Sequence, residues 1–286
     1  MSADPEADRI SAVDKALSDW RQGDCVLGEH WFVHRVDPSV GLTDAARAAA
    51  EAGTDLAETA EVGLVVVTQT CDVVRECKRR PFVEVSPLVT LDEHDFHAVE
   101  RGRRPNSALV PALADRRLVA DLDRTMTVEK SVVAGWQRVL GCRSDDETRR
   151  FASALARKRE RFAFPDDFTA LAKRLTARLA DKHDRTTAEG HALRSLREIR
   201  VRADPSWDAQ IIELMFWFVQ DTGGDSVTGQ KDHLSSWLGL LPAGGRFASV
   251  LGQVAALEDM TARDYVDSDP LDLDHLSSRE HGGTEG

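Results

Sequence analysis

Val65-Val66-Val67-Thr68-Gln69-Thr70-Cys71-Asp72 sets the architecture of the first half of this 286-residue chain. Three consecutive β-branched residues predict a buried strand, and that strand runs directly into a thiol beside a carboxylate. Strand ends present polar chemistry from a rigid support, so Cys71 and Asp72 are the first candidate site. Working outward, Cys25-Val26-Leu27 and Trp31-Phe32-Val33 predict strands upstream, after a turn at Gln22-Gly23-Asp24. Phe82–Ser86 and Leu118–Ala120 predict strands downstream, followed by Thr125-Met126-Thr127-Val128 and a β-branched run that ends at Trp136. Residues 9–20 have helical spacing, with Ile10, Val13 and Leu17 on one face. The Ala-rich stretch 43–60 lacks large apolar anchors and is expected to be a surface helix inserted between strands.

The second half changes period. Phe151, Leu155 and Phe162 share a helical face; Pro165-Asp166-Asp167 then starts another helix, with Phe168, Leu171, Leu175 and Leu179 as its apolar stripe. Ile199, Val201 and Ala203 alternate, turn through Asp204-Pro205-Ser206, and alternate again at Ile212, Leu214, Phe216 and Phe218. Met215, Trp217 and Val219 make that second strand apolar on both faces, which places it centrally in its sheet. Gly223-Gly224-Asp225 is a breaker, and Phe247, Val250, Leu251 and Val254 predict a final amphipathic helix. The expected fold class is α+β. An N-terminal β-barrel-like domain over 1–137 carries the 43–60 insertion. A helical and antiparallel-sheet domain follows over 138–277, with a disordered tail over 278–286.

The chain carries 37 Lys/Arg against 49 Asp/Glu, a net charge of −12, which argues against a generic nucleic-acid coat. The charge is uneven: residues 138–202 balance at +7, whereas 203–286 balance at −11. No apolar run approaches the roughly 20 residues needed to cross a bilayer. The acidic, polar N-terminus and only four cysteines point to reduced thiols in the cytoplasm.

The basic stretch Arg75, Lys78, Arg79 and Arg80 follows the Cys-Asp pair, and Arg101, Arg103 and Arg104 add a second basic loop. Two such loops on one rim suit phosphates of RNA or DNA, with Trp31 or Phe82 for base stacking. Metal chemistry has weaker support. Cys71 and Cys77 are too widely spaced for a tight CxxC pair. On a strand, His30 and His34 stand about 13 Å apart. A composite of Cys71, Cys77, His94 and His97 is the remaining metal candidate. Glu129-Lys130 lacks the carboxylate-x-lysine spacing of metal nucleases, and Asp267, Asp269, Asp272 and Asp274 lack a calcium loop's glycine. With no Gly-rich phosphate loop either, no cofactor and no metal are expected.

Gln22-Gly23-Asp24-Cys25-Val26-Leu27, Arg80-Pro81-Phe82-Val83-Glu84-Val85-Ser86 and Leu118–Val132 together resemble the PemK/MazF-like toxins over residues 20–137. That resemblance implies a small SH3-like barrel that binds and, in many members, cleaves RNA, with Arg80 at the family's "RP" position. Here the Cys-Asp strand precedes the "RP" segment, an order that departs from the family. The Gln-Thr-Cys-Asp segment itself resembles uncharacterised bacterial and prophage proteins. The expectation is therefore a bacterial RNA-binding protein, with Cys71, Asp72 and Arg80 catalytic and Arg75, Lys78, Arg79, Arg103 and Arg104 on phosphate. Its alternative is a non-enzymatic adaptor of a larger system facing phage, docking a protein partner through its acidic C-terminal part. A thiol enzyme acting through Cys71 ranks third.

Overall fold

A computed structural model describes residues 5–102, 104–160, 162–220 and 228–271. It is an α+β protein whose contacts divide it into two units, 1–160 and 161–286.

The first unit opens with helix α1 (Pro5–Leu17) and strand β1 (Cys25–Arg35). Helix α2 (Asp44–Glu51) leads to β2 (Leu56–Val66), the one-turn α3 (Thr70–Val73), β3 (Phe82–Thr90) and α4 (Glu93–Glu100). The short strands β4 (Ser107–Leu109), β5 (Leu118–Asp121) and β6 (Met126–Glu129) come next, then helices α5 (Lys130–Ala134) and α6 (Asp145–Arg159). The sheet order is β1-β2-β3-β5-β4, and β6 pairs with the first half of β3. Strand β2 is central, antiparallel to β1 and β3, and it explains the apolar run. Side chains alternate across a sheet, so Val65 and Val67 enter one core with Leu88, Ala120 and Phe151. Leu64 and Val66 enter the opposite core with Phe32, Val83, Val85 and Trp20. With both faces buried, no polar residue is tolerated between Leu64 and Val67.

Several expectations change here. Among the described residues no ladder joins β1 to β6, so a closed barrel is not seen in the sheet they form. The 43–60 stretch is not one inserted helix. Its helix covers 44–51 with Ala46 and Ala49 buried, and residues from Leu56 onward pair with Arg35 to Trp31 of β1. A regular strand partner outweighs alanine's helical preference. By contacts the chain divides at 160/161, and α6 puts Phe151 into the same core as Val65.

The second unit contains helices α7 (Asp166–His183) and α8 (Ala188–Arg194), the hairpin of β7 (Leu196–Asp204) and β8 (Ile212–Gln220), and helix α9 (Thr228–Leu238). Strand β9 (Phe247–Ala256), helix α10 (Ala262–Val266) and the two-residue β10 (Asp269–Pro270) complete it. The sheet order is β10-β7-β8-β9, which puts the doubly apolar β8 inside the sheet. Phe168, Leu175 and Leu179 of α7 pack with Ile199, Val201, Phe216, Phe218 and Trp237 in one core. The segment 247–254 is strand β9, not a helix, and it lies parallel to β8, so the sheet is mixed and not purely antiparallel. A central β8 needs a neighbour on each edge, and the charge-free 247–256 stretch supplies the second. The breaker at 223–225 and the tail from 272 onward lie outside the described residues.

Candidate functional site

The loop between β2 and β3 is fixed from several directions. The Val67 N–H donates to the Glu84 carbonyl (3.0 Å), and the Glu84 N–H donates back to Thr68 Oγ1 (2.6 Å). Gln22 adds a second clasp: its N–H donates to Thr70 Oγ1 (3.0 Å) and its side-chain amide to the Val67 carbonyl (2.8 Å). Gln69 then starts α3, its carbonyl accepting from the N–H groups of Asp72 (2.9 Å) and Val73 (3.0 Å). Thus Gln69, Thr70, Cys71 and Asp72 do not extend the strand. Thr70, Cys71 and Asp72 lie in a one-turn helix that Gln69 precedes and the buried Val73 anchors.

Lys130 holds this turn from beneath. It is only 1% exposed, and its Nζ donates to the backbone carbonyls of Asp72 (2.8 Å) and Arg75 (2.5 Å). Burial pushes the ammonium's pKa down, opposed by the negative charge of nearby Asp14 and Asp72. Asp14 of α1 accepts from the Cys77 N–H (2.8 Å) and ties the far end of the loop. Its hydrogen bonding with Cys77 holds the carboxyl below the ordinary range, whereas burial pushes the Cys77 thiol up to about 11. A small cavity of about 210 Å³ lies between α1 and Lys130, lined by Ile10, Val13, Cys77 and Pro81. Sequence reasoning missed Asp14 and weighed Lys130 only as the neighbour of Glu129 in a metal site. A lysine beside a strand end carries no mark of burial until the loop folds over it.

The upper surface of the loop gathers several of the expected residues. The Asp72 carboxylate lies 3.7 Å from Arg80 Nε and 4.0 Å from an Arg75 terminal nitrogen. Lys78 and Arg79 are exposed alongside, and Arg79 faces Glu76 at 3.7 Å. Cys71 is exposed, its Sγ 3.7 Å from Gln69 Oε1. Phe82 follows, 58% exposed at the start of β3.

Arg104 pairs with Asp95 of α4, whose carboxyl it holds below the ordinary range, and Arg103 lies outside the described residues. The composite metal candidate is not assembled. Cys77 is held by Asp14, and His97 bonds Glu100 (2.6 Å) on α4. Among the described residues the ligand atoms of Asp92, His94 and Asp95 do cluster. Asp92, however, is spent capping the Asp95 N–H (2.8 Å), and Asp95 is spent on Arg104. Asp121 and Asp123 are likewise engaged, with Arg124 (2.7 Å) and with Lys158. Asp267 faces Arg263 and Asp269 accepts from the Trp207 indole, while Asp272 and Asp274 lie outside the described residues.

The two histidines of β1 line a separate groove of about 700 Å³ between β1 and β6, with Trp31, Val33, Met126, Val128 and Trp136. His30 meets the Trp136 ring edge-on at 5.5 Å, which makes it a packing residue. Comparison with protein families, curated proteins and solved structures returns no match. Among the described residues no helix is long and apolar enough to cross a membrane.

Proposed function

We propose that the first unit binds single-stranded RNA through the loop from Thr70 to Phe82, as a member of the PemK/MazF-like group with an opened SH3-like sheet. The carrying observation is the Asp72 carboxylate set between Arg75 and Arg80 on a loop that buried Lys130 holds in place. Arg75, Lys78, Arg79 and Arg80 supply charge for successive phosphates, and exposed Phe82 offers a ring on which a base stacks. The same set contains a base and a phosphate clamp for strand cleavage. Asp72 takes the proton of a ribose 2′-hydroxyl, and Arg80 stabilises charge on the attacked phosphate. The departing 5′-oxygen is protonated by water.

Titration of a fluorescent mixed-sequence RNA oligonucleotide tests binding. Arg75→Ala, Arg79→Ala and Arg80→Ala should each weaken it and flatten its salt dependence. Unchanged affinity in the triple variant would remove the reading. Gel assays of the same RNA, with Asp72→Ala beside the parent protein and EDTA present and absent, separate a binder from a nuclease. The adaptor reading has one observation in its favour: Asp72 already faces two arginines, so its carboxylate is engaged before any substrate arrives. A protein that co-purifies stoichiometrically, with no RNA affinity, would decide for it.

A further inference from the structure

The sheet edges of this protein are not equally protected. In the first unit, edge strand β1 carries Glu29, His30, His34 and Arg35 and is interrupted by a bulge between Leu27 and His30, where Gly28 takes a φ of +112°. Edge strand β4 is three residues long and β6 is four. In the second unit, the edge opposite β9 is the two-residue β10. Short length, charge and bulges are the usual devices that keep a sheet from pairing with another chain. Strand β9 has none of them along 249–256. It is ten residues long, Phe-Ala-Ser-Val-Leu-Gly-Gln-Val-Ala-Ala, without a charge or a proline, and its one irregularity lies at Ala248 near its start.

The direction of its backbone follows from the ladders. Leu271 N–H donates to the Ile199 carbonyl (2.7 Å), so odd-numbered residues of β7 face β10 and even-numbered ones face β8. By the β7–β8 register, Glu213, Met215 and Trp217 face β7, and Leu214, Phe216 and Phe218 face β9. In a parallel pair those residues bond Ser249, Leu251 and Gln253. Val250, Gly252 and Val254 are left with their N–H and C=O groups toward the free edge, where no described strand pairs with them.

This edge is complementary to itself. We propose that two copies of the chain pair through β9, antiparallel and two-fold symmetric about Gly252, joining two four-stranded sheets into one continuous sheet. Gly252 then exchanges hydrogen bonds with Gly252 of the partner copy, and Val250 exchanges them with Val254 of the partner copy. The register matches the available donors and acceptors without a slip. Val250 and Val254 are half-buried against the helical core, and the pairing buries the sides they still expose. On the opposite face Leu251, 58% exposed, comes to stand beside Gln253 of the partner copy. A chain of net charge −12 meets its copy along a stretch that carries no charge, so no like charges are forced together there.

Sedimentation velocity over a concentration series tests the pairing with a charge cycle on the full chain. The parent protein should dimerise. Leu251→Lys with Gln253→Lys should weaken the dimer by roughly tenfold or more, because the register sets lysine against lysine on both sides of the axis. Leu251→Lys with Gln253→Glu should restore it. A monomeric parent, a lysine–lysine variant that dimerises as well as the parent, or a folded lysine–glutamate variant that stays monomeric each overturns the proposal. Should the lysine pair fail to fold, hydrogen exchange of the parent decides. The Val250, Gly252 and Val254 amides should gain protection as concentration rises, and unchanged exchange at all three overturns the pairing.

Discussion

Replacing Lys130 by methionine removes the ammonium and leaves an unbranched apolar chain in the same space. The parent Nζ donates to the carbonyls of Asp72 (2.8 Å) and Arg75 (2.5 Å) from a site only 1% exposed. Hydrogen bonds from a charged donor contribute about 1.5–3 kcal/mol each, and part of that is offset by the cost of keeping the ammonium out of water. The two carbonyls belong to a surface turn and recover water when released. A net loss of about 2 kcal/mol follows, equivalent to a fall in Tm of roughly 4–8 °C for a unit of this size. The loss is local, because both acceptors lie in the 70–80 loop. Opening of that loop should rise by about 30-fold, which trypsin reads directly at Arg75, Lys78 and Arg79, the Arg80–Pro81 bond being resistant to it. Limited proteolysis followed by mass spectrometry therefore checks both place and size. Cleavage of the loop at the parent rate, with an unchanged Tm, would refute the view that Lys130 holds the turn.

Further outcomes follow from the cysteines and from Asp24. In a timed reaction with a thiol reagent at neutral pH, Cys71, the exposed thiol, should label first; Cys25, fully buried, should label last. Burial raises the Cys77 and Cys142 thiols to about 11, from 9.0 in the open chain. Both stay protonated in the folded protein while the unfolded chain ionises, so urea midpoints should fall as pH rises from 9 toward 11, and hold below 9. A midpoint that climbs over that interval would contradict the burial of these thiols. Asp24 is 2% exposed and accepts from the Arg21 N–H (2.8 Å), with Arg138 Nε at 3.1 Å. Asp24→Ala leaves both donors without their acceptor and should cost about 2–4 kcal/mol in urea unfolding; a loss well under 1 kcal/mol would show that the pair is not structural.

Part of this protein is written plainly in its sequence. The local pattern places α1, the C-terminal half of β2, β3, β5, α7 and the β7–β8 hairpin, because each has an apolar pattern that only one secondary structure buries. The doubly apolar Ile212–Val219 stretch also announced a central strand, and β8 is central. The loop residues Asp72, Arg75 and Arg80 were legible because they are adjacent in sequence, so a short turn suffices to bring them together.

The rest depended on pairing across long separations. Residues 247–254 satisfy helical spacing as well as strand spacing, and only the unfilled edge of β8 makes them a strand. The 56–60 segment is strand because β1 lies beside it, not because its alanines and glutamate prefer that state. Arg104 pairs with Asp95 on a helix nine residues upstream, and Lys130 reached a loop 55 to 58 residues before it. Local sequence sets which faces of each element are apolar. Which strand lies beside which, and therefore which charged groups meet and which edge remains open, is a property of the assembled chain alone.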